Sequence, residues 1–315
     1  VAANPSGSMY DIIGDIHGHA AHLEALLDKL GYRCDGAGYA HDGRQAVFVG
    51  DFIDRGPAIR QALAIVRAMV DSGAALATMG NHEFNALAYH TPAPGRPGEF
   101  LRAHNDKNTH QHAATLKQIE GAERADMLAW FRTLPLWLDL GRVRVVHACW
   151  DPAGIKTLEA GLGRYGGVSD GFMAEATSQG TALFNAVEHV LKGPEAPLPA
   201  GMTYDDKDGH ARRRSRVRWF LDPVGLTFGQ YALPALELVD DQPAGMVPAV
   251  ELYPASAPPV FFGHYWMTGD PKLMSPNAAC VDYSVAKGGP LCAYRWQGEA
   301  ELRNDRFVTV AIAKE

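Results

Sequence analysis

No apolar run in the 315-residue chain approaches the ~20 residues that a bilayer-spanning helix needs, so no membrane segment is expected. Cysteine is scarce. Cys34, Cys149, Cys280 and Cys292 stand far apart with no Cys-x-x-Cys pair, which excludes a thiolate metal site and a disulfide framework as organising devices. Reduced thiols and a cytoplasmic location are the expectation that follows. Basic charge is also in short supply: 29 Lys and Arg face 36 Asp and Glu, a net charge of −7. That balance argues against non-specific nucleic-acid or anionic-membrane binding. It does not exclude an anionic substrate, because a bound metal inverts the local sign. What the chain does have is an ordinary globular composition, 47% apolar and 21% charged. The opening Val-Ala-Ala-Asn-Pro-Ser-Gly-Ser has neither a basic start nor an apolar stretch. Residues 1–8 are therefore read as an expression scar and 9–315 as a single domain.

The first part of that domain alternates strands and helices. Met9–Gly14, Ala46–Gly50 and Ala74–Met79 read as short buried strands. Ala20–Leu30 reads as a helix with Leu23, Leu26, Leu27 and Leu30 on one face, and Ala58–Asp71 as a second, with a third opening at Glu83. This order implies parallel strands joined by helical crossovers. Residues 91–125 are polar and His-rich with a Pro/Gly loop at 92–98, and read as an inserted segment. A helix is expected over Met127–Trp137, then a hairpin of Leu136–Leu140 and Val143–His147 about Gly141. Residues 150–233 carry one clear helix, Thr181–Leu191, and are too long for a plain loop, so they read as a second insertion. Strands return at Val260–Gly263, Ala279–Asp282, Leu291–Trp296 and Phe307–Ile312.

Three of the early strands run into glycine-flanked polar loops: Gly14-Asp15-Ile16-His17-Gly18, Gly50-Asp51-Phe52-Ile53-Asp54-Arg55-Gly56 and Gly80-Asn81-His82-Glu83. Two later strands end in His147 and in Gly263-His264-Tyr265. The carboxyl ends of neighbouring parallel strands form one crevice, so Asp15, His17, Asp51, Asn81, His147 and His264 are expected on a common rim. Oxygen and imidazole donors in that number suit two divalent ions of the Mn, Fe or Zn kind, with one aspartate able to bridge them. Asp51 and Asp54, three apart on a tight loop, are free to do different work, one facing metal and the other orienting a histidine. Arg55 offers a planar fork matched to phosphate oxygens.

Taken in order and roughly 35 and 30 residues apart, these three motifs resemble those of the calcineurin-like metallophosphoesterases, and more narrowly the PPP phosphatases. The tail from Asp282 through Gly288-Gly289-Pro290-Leu291 to Arg295-Trp296, and the run Ser215-Arg216-Val217-Arg218-Trp219, are similar to bacterial members that include symmetrical diadenosine-tetraphosphate hydrolases. The resemblance implies a two-sheet α/β sandwich with a dinuclear site at the carboxyl ends of its strands. It implies that Asp15 and His17 hold one ion, that Asp51 bridges, and that Asn81, His147 and His264 hold the other, with Mn2+ favoured and Fe or Zn as alternatives. His82 would donate a proton to the leaving oxygen, oriented by Asp54, and Arg55 and Asn81 would touch the phosphate. A further arginine from the later half is expected there, Arg218 ahead of Arg216. The chain departs from the family at Cys149-Trp150, where a glycine usually follows His147-Ala148.

The function implied is hydrolysis of phosphate monoesters, of a phosphoprotein or a small phosphoester, by in-line attack of a metal-bridging hydroxide. One alternative is a symmetrical dinucleoside-polyphosphate hydrolase, for which Trp150, Trp219 and Tyr265 are candidate base-stacking residues. Another is an inactive binding scaffold on the same fold. The expected partner is a phosphorylated substrate: protein, nucleotide or small molecule.

Overall fold

Strand β1 (Tyr10–Ile13) is buried on both faces, with Tyr10 and Ile12 in one apolar cluster and Ile13 in another, as period-two alternation requires. Helix α1 (Ala20–Leu30) covers one side with Leu23, Leu26, Leu27 and Leu30, and Gly31 closes it in the left-handed conformation. A small hairpin, β2 (Arg33–Cys34) and β3 (Tyr39–Ala40), precedes β4 (Gln45–Phe48), α2 (Ile59–Asp71), β5 (Ala75–Ala77) and α3 (Asn81–His90). Next come α4 (Asp106–Gln118), α5 (Gly121–Phe131), the hairpin β6 (Trp137–Asp139) and β7 (Arg144–Val146), and the helices α6 (Pro152–Tyr165), α7 (Asp170–Ala176) and α8 (Ala182–Lys192). The short strands β8 (Glu195–Pro197), β9 (Tyr204–Asp205), β10 (Ala211–Arg212) and β11 (Arg214–Arg216) pair as β8 with β11 and β9 with β10. The chain continues through α9 (Phe228–Tyr231) to β12 (Val260–Phe262), β13 (Ala278–Cys280), β14 (Leu291–Trp296) and β15 (Phe307–Val310). The computed structural model describes residues 9–311 apart from 35, 37, 199–200, 206–210, 234, 237–242 and 245–250. Residues 1–8, read above as an expression scar, and Ile312 lie outside the described residues.

Two sheets stack. One has the order β15-β14-β1-β4-β5, and the other β13-β12-β7-β6. Tyr10, Ile12, Val47, Val49 and Tyr294 of the first interdigitate with Leu138, Val145, Phe261 and Ala279 of the second in one buried layer. Strands β1, β4 and β5 are parallel, as are β7, β12 and β13, so each group presents its carboxyl ends together. This is the two-sheet α/β sandwich that the motifs implied. Among the described residues no helix is long and apolar enough to cross a membrane.

The regions read as insertions are largely helical. Residues 91–125 contain α4 and the start of α5, which begins at Gly121 rather than near Met127. Helix α4 has no apolar stripe to announce it, because its buried side chains are the polar His112 and Thr115. Residues 150–192 form three helices where one was expected. Helix α6 hides behind its glycines: a Cβ on Gly161 would sit 2.5 Å from Leu183 Cδ2, so this residue's smallness lets α6 lie close on α8. Its start is nonetheless marked by the Asp151 cap followed by Pro152.

Candidate dinuclear metal centre

The loops after β1, β4 and β5 are held by backbone as much as by side chains. The amides of Ile16 and His17 both donate to Asp51 O, at 3.1 and 2.8 Å. Glu83, one turn into α3, reaches back: its Oε2 accepts the amides of Asp51 (2.8 Å) and Gly80 (2.9 Å), and its Oε1 that of Phe52 (2.8 Å). Burial and the nearby Asp51 charge push the Glu83 carboxyl up to about 7. The backbone is strained where the polar side chains emerge. His17, Asp51, Asp54, Arg55, His264 and Trp266 all have positive φ, between 45° and 75°. Close approach also depends on glycine. A Cβ on Gly80 would lie 2.2 Å from Asp51 Oδ1, and one on Gly263 1.9 Å from Asp15 Oδ1.

Around Asp51 the histidines converge. His17 Nε2 lies 3.6 Å from Asp51 Oδ2, and His147 Nε2 lies 3.4 Å from Asp51 Oδ1. Asn81 Oδ1 is 3.0 Å from His147 Nε2 and 2.7 Å from His264 Nδ1. His17 and His147 are each oriented through the other ring nitrogen, by Ile53 O at 2.9 Å and Val49 O at 2.8 Å. Donor atoms of His17, Asp51 and His82 gather into one candidate group, and those of Asp51, His147 and His264 into a second, with Asp51 shared. Asp15 stands beside them, its Oδ2 accepting the His264 amide at 3.0 Å.

Three buried atoms in this cluster have no hydrogen-bond partner: Asp15 Oδ1, His17 Nε2 and His264 Nε2. Such atoms are costly to leave unpaired, and a carboxylate oxygen with two imidazole nitrogens is a donor set that borderline divalent cations take. The residues therefore fit the group. The electrostatics agree with this. Burial, then the charges of Asp282 and Asp51, push the Asp15 carboxyl well above the usual range. Burial and the neighbouring His82 hold His17 down to about 3, and burial with the Arg216 charge keeps His264 well below its ordinary value. Clustered carboxylates that repel one another beside imidazoles kept neutral are relieved by a cation.

The remaining expected residues lie around this centre. His82 Nδ1 donates to Asp54 Oδ2 at 2.5 Å, and its Nε2 faces Arg55 Nη2 at 3.5 Å. Arg55 lies over Trp266, its Cζ 4.3 Å from the ring centroid. Arg218 is turned elsewhere, donating from Nε to Ala232 O at 3.2 Å and reaching Met274 Sδ at 4.0 Å. Arg216, anchored on Lys192 O at 2.6 Å, is the arginine whose charge acts on His264. Trp150, Trp219 and Tyr265 are all buried. Trp219 Nε1 and Tyr265 Oη both donate to Ala148 O. The partly exposed aromatic at the centre is instead Trp266, 5.6 Å from the His17 ring, with Lys287 also over it. Asp282 ends the strand expected over Ala279–Asp282 and has a further contact at the centre. It accepts the Trp266 amide at 2.7 Å and so fixes the loop after His264. Cys149 is buried, and burial pushes its thiol well up, away from nucleophilic use.

A family model described as calcineurin-like phosphoesterase matches residues 10–175. A bis(5'-nucleosyl)-tetraphosphatase PrpE, asymmetrical, of Halalkalibacterium halodurans is 35% identical over 162 residues, 50% of this chain and 61% of the relative. The chain thus spans less than two thirds of that relative's length. A symmetrical bis(5'-nucleosyl)-tetraphosphatase of Methylococcus capsulatus is 29% identical over 92% of both chains. Among solved structures, a cold-active protein tyrosine phosphatase superposes with a TM-score of 0.53 at 15% identity, covering 96% of this chain and 79% of that one.

Proposed function

Because the chain belongs to the calcineurin-like phosphoesterase family, we propose that it hydrolyses phosphate monoesters, of a phosphoprotein or a small molecule, with two divalent ions, most simply Mn2+. The observation that carries this reading is the set of unpaired buried donors, Asp15 Oδ1, His17 Nε2 and His264 Nε2, beside a His82–Asp54 pair. Asp15, His17 and Asp51 would hold one ion, and Asp51, Asn81, His147 and His264 the other. Bound there, the ions supply a nucleophile at neutral pH and neutralise charge on the phosphoryl oxygens.

The chain's own residues do the rest. Asp54 accepts Nδ1–H of His82, and the imidazole, when it also carries a proton on Nε2, gives that Nε2 proton to the leaving oxygen and is left as the neutral Nδ1–H form. Arg55, braced on Trp266, orients the phosphoryl group with the Asn81 amide. Arg216 replaces Arg218 as the later arginine at the phosphate, since Arg218 is committed to Ala232 and Met274. Among the described residues at the centre the nearby thiol, Cys149, is buried with its pKa pushed well up, which favours direct attack by water.

The burial of Trp150, Trp219 and Tyr265 favours monoesters, because none of the three is open to stack a base. A second reading, hydrolysis of a dinucleoside polyphosphate, is favoured by the near full-length similarity to the Methylococcus capsulatus protein and by Trp266 with Lys287 over it. Comparing kcat/KM for a phosphotyrosine peptide and for diadenosine tetraphosphate in the same Mn2+ buffer separates the two. A preference above about 100-fold for the dinucleotide, near 2.7 kcal/mol, would overturn the monoester reading.

A further inference from the structure

Asp54 makes more hydrogen bonds than orienting one imidazole requires. Its Oδ2 takes His82 Nδ1–H, while its Oδ1 takes both the Thr115 hydroxyl at 2.6 Å and His112 Nδ1–H at 2.8 Å. The Asp54 amide in turn donates to Thr115 Oγ1 at 3.0 Å. His112 and Thr115 are one turn apart on α4, so both face the same carboxylate. They are also the two side chains that α4 buries. A helix packed for core stability would bury apolar groups there, whereas this one gives its buried face to Asp54. Behind His112 the cluster continues, with His90 Nε2 at 3.3 Å from His112 Nε2 and the Tyr89 ring 5.3 Å from the His112 ring.

We propose that His112, with Thr115, is a positioning residue for the proton donor: it locks the rotation of the Asp54 carboxylate, so that Oδ2 stays in line with His82 Nδ1 and His82 Nε2 stays aimed at the leaving oxygen. A carboxylate tied through one oxygen only is free to swing about its Cβ–Cγ bond, and His82 would swing with it. Donors on the second oxygen remove that freedom before substrate arrives, the preorganisation that sites of this kind need. The proposal rests on the role given above to His82, and its test separates the two.

Three variants of the Mn2+-loaded full chain are compared on 4-nitrophenyl phosphate, whose leaving group needs little protonation, and on an alkyl phosphate, whose leaving group needs much. His112→Phe should keep two ions per chain and lose kcat on the alkyl ester by about 10- to 100-fold, with a smaller loss on the nitrophenyl ester. His112→Asn, which restores a donor near the Nδ1 position, should recover most of that loss. Thr115→Val, a nearly isosteric change, should show the same substrate bias more weakly, and it carries the test if the phenylalanine variant does not fold. Equal losses on both esters, or no loss, in Thr115→Val and any folded His112→Phe would overturn the proposal. His82→Asn serves as reference. If it shows the leaving-group bias and the α4 variants do not, only the positioning role fails. If it shows no bias, the proton-donor reading fails and the positioning role falls with it.

Discussion

Asp51 and Asp54 sit three residues apart on one loop, both buried and both at positive φ, yet their surroundings are opposite in kind. Around Asp51 the pairing is incomplete: Asn81 meets His147 and His264, but His17 Nε2, His264 Nε2 and Asp15 Oδ1 are left with no hydrogen-bond partner. Around Asp54 the pairing is complete: His82, His112 and Thr115 all donate to it. Both carboxyls are pulled below the usual range against the effect of burial, Asp51 by His147 and His82, Asp54 by its bonds from His112 and His82. Low pKa therefore does not distinguish them. The difference lies in hydrogen-bond satisfaction. Buried donors left unpaired suit a bound cation, whereas a carboxylate with both oxygens paired suits holding its neighbours in place.

The sharpest way to break this contrast is to remove the metal. Chelation should abolish activity and Mn2+ should restore it, and metal analysis in saturating Mn2+ should count two ions per chain. A count of one or fewer would end the dinuclear reading of the Asp51 side. Substitution at the two aspartates comes next. Asp51→Asn should empty at least one metal position. Asp54→Asn should keep both ions and lower kcat by ~10²–10⁴-fold, as His82→Asn should, because only proton donation is lost. If Asp54→Asn also strips metal, the two sides of the loop are not separable.

A smaller effect tests the glycine cradle. Gly80→Ala places a methyl where Asp51 Oδ1 now lies, 2.2 Å away. We expect weaker metal retention and a stability loss of about 1–3 kcal/mol, read by chemical denaturation. The smallest expected effect concerns pH on the satisfied side. Burial, then the charges of His112, Arg124 and His104, hold His90 down to about 4 from its ordinary 6.5. Its pKa is lower folded than unfolded, so the unfolded chain takes the proton first. The stability that neutral His90 contributes is whole above about pH 6.5 and is lost as the pH falls toward 4. His90→Gln should flatten that part of the stability profile, and an unchanged slope between pH 7 and 5 would contradict it.

What could be read from sequence follows one rule. Asp15, His17, Asp51, Asp54, Arg55, Asn81 and His82 stand on short glycine-flanked loops directly after apolar strands, so their placement needs only local information and the parallel order. Glu83 is visible as a helix-start acid, but its bonds back to the loops after β4 and β5 are not. His112 and Thr115 gave no signal at all, since a histidine in a polar helix looks like a solvated one until the fold brings Asp54 beneath it. The arginine run was legible as a run, but not which member faces the site. Arg216 is held on Lys192 O and Arg218 on Ala232 O, so the two side chains are tied to different segments. The aromatics erred in the same way: Trp150, Trp219 and Tyr265 fill the core, and Trp266 is the one left at the centre.

By itself, then, the order of residues determined the strand–helix alternation, the two-sheet architecture and the cluster around Asp51. Each follows from period-two or period-3.6 burial and from glycine placed where a loop must turn, and both act over a few residues. Only the tertiary structure decided what surrounds Asp54, which arginine's charge acts on His264, which tryptophan lies beside His17, and how α6 nests on α8. These depend on contacts between segments tens to hundreds of residues apart, as between Asp54 and Thr115 or His17 and Trp266. A polar side chain acquires its partner there only when packing of the apolar faces has brought the two segments together.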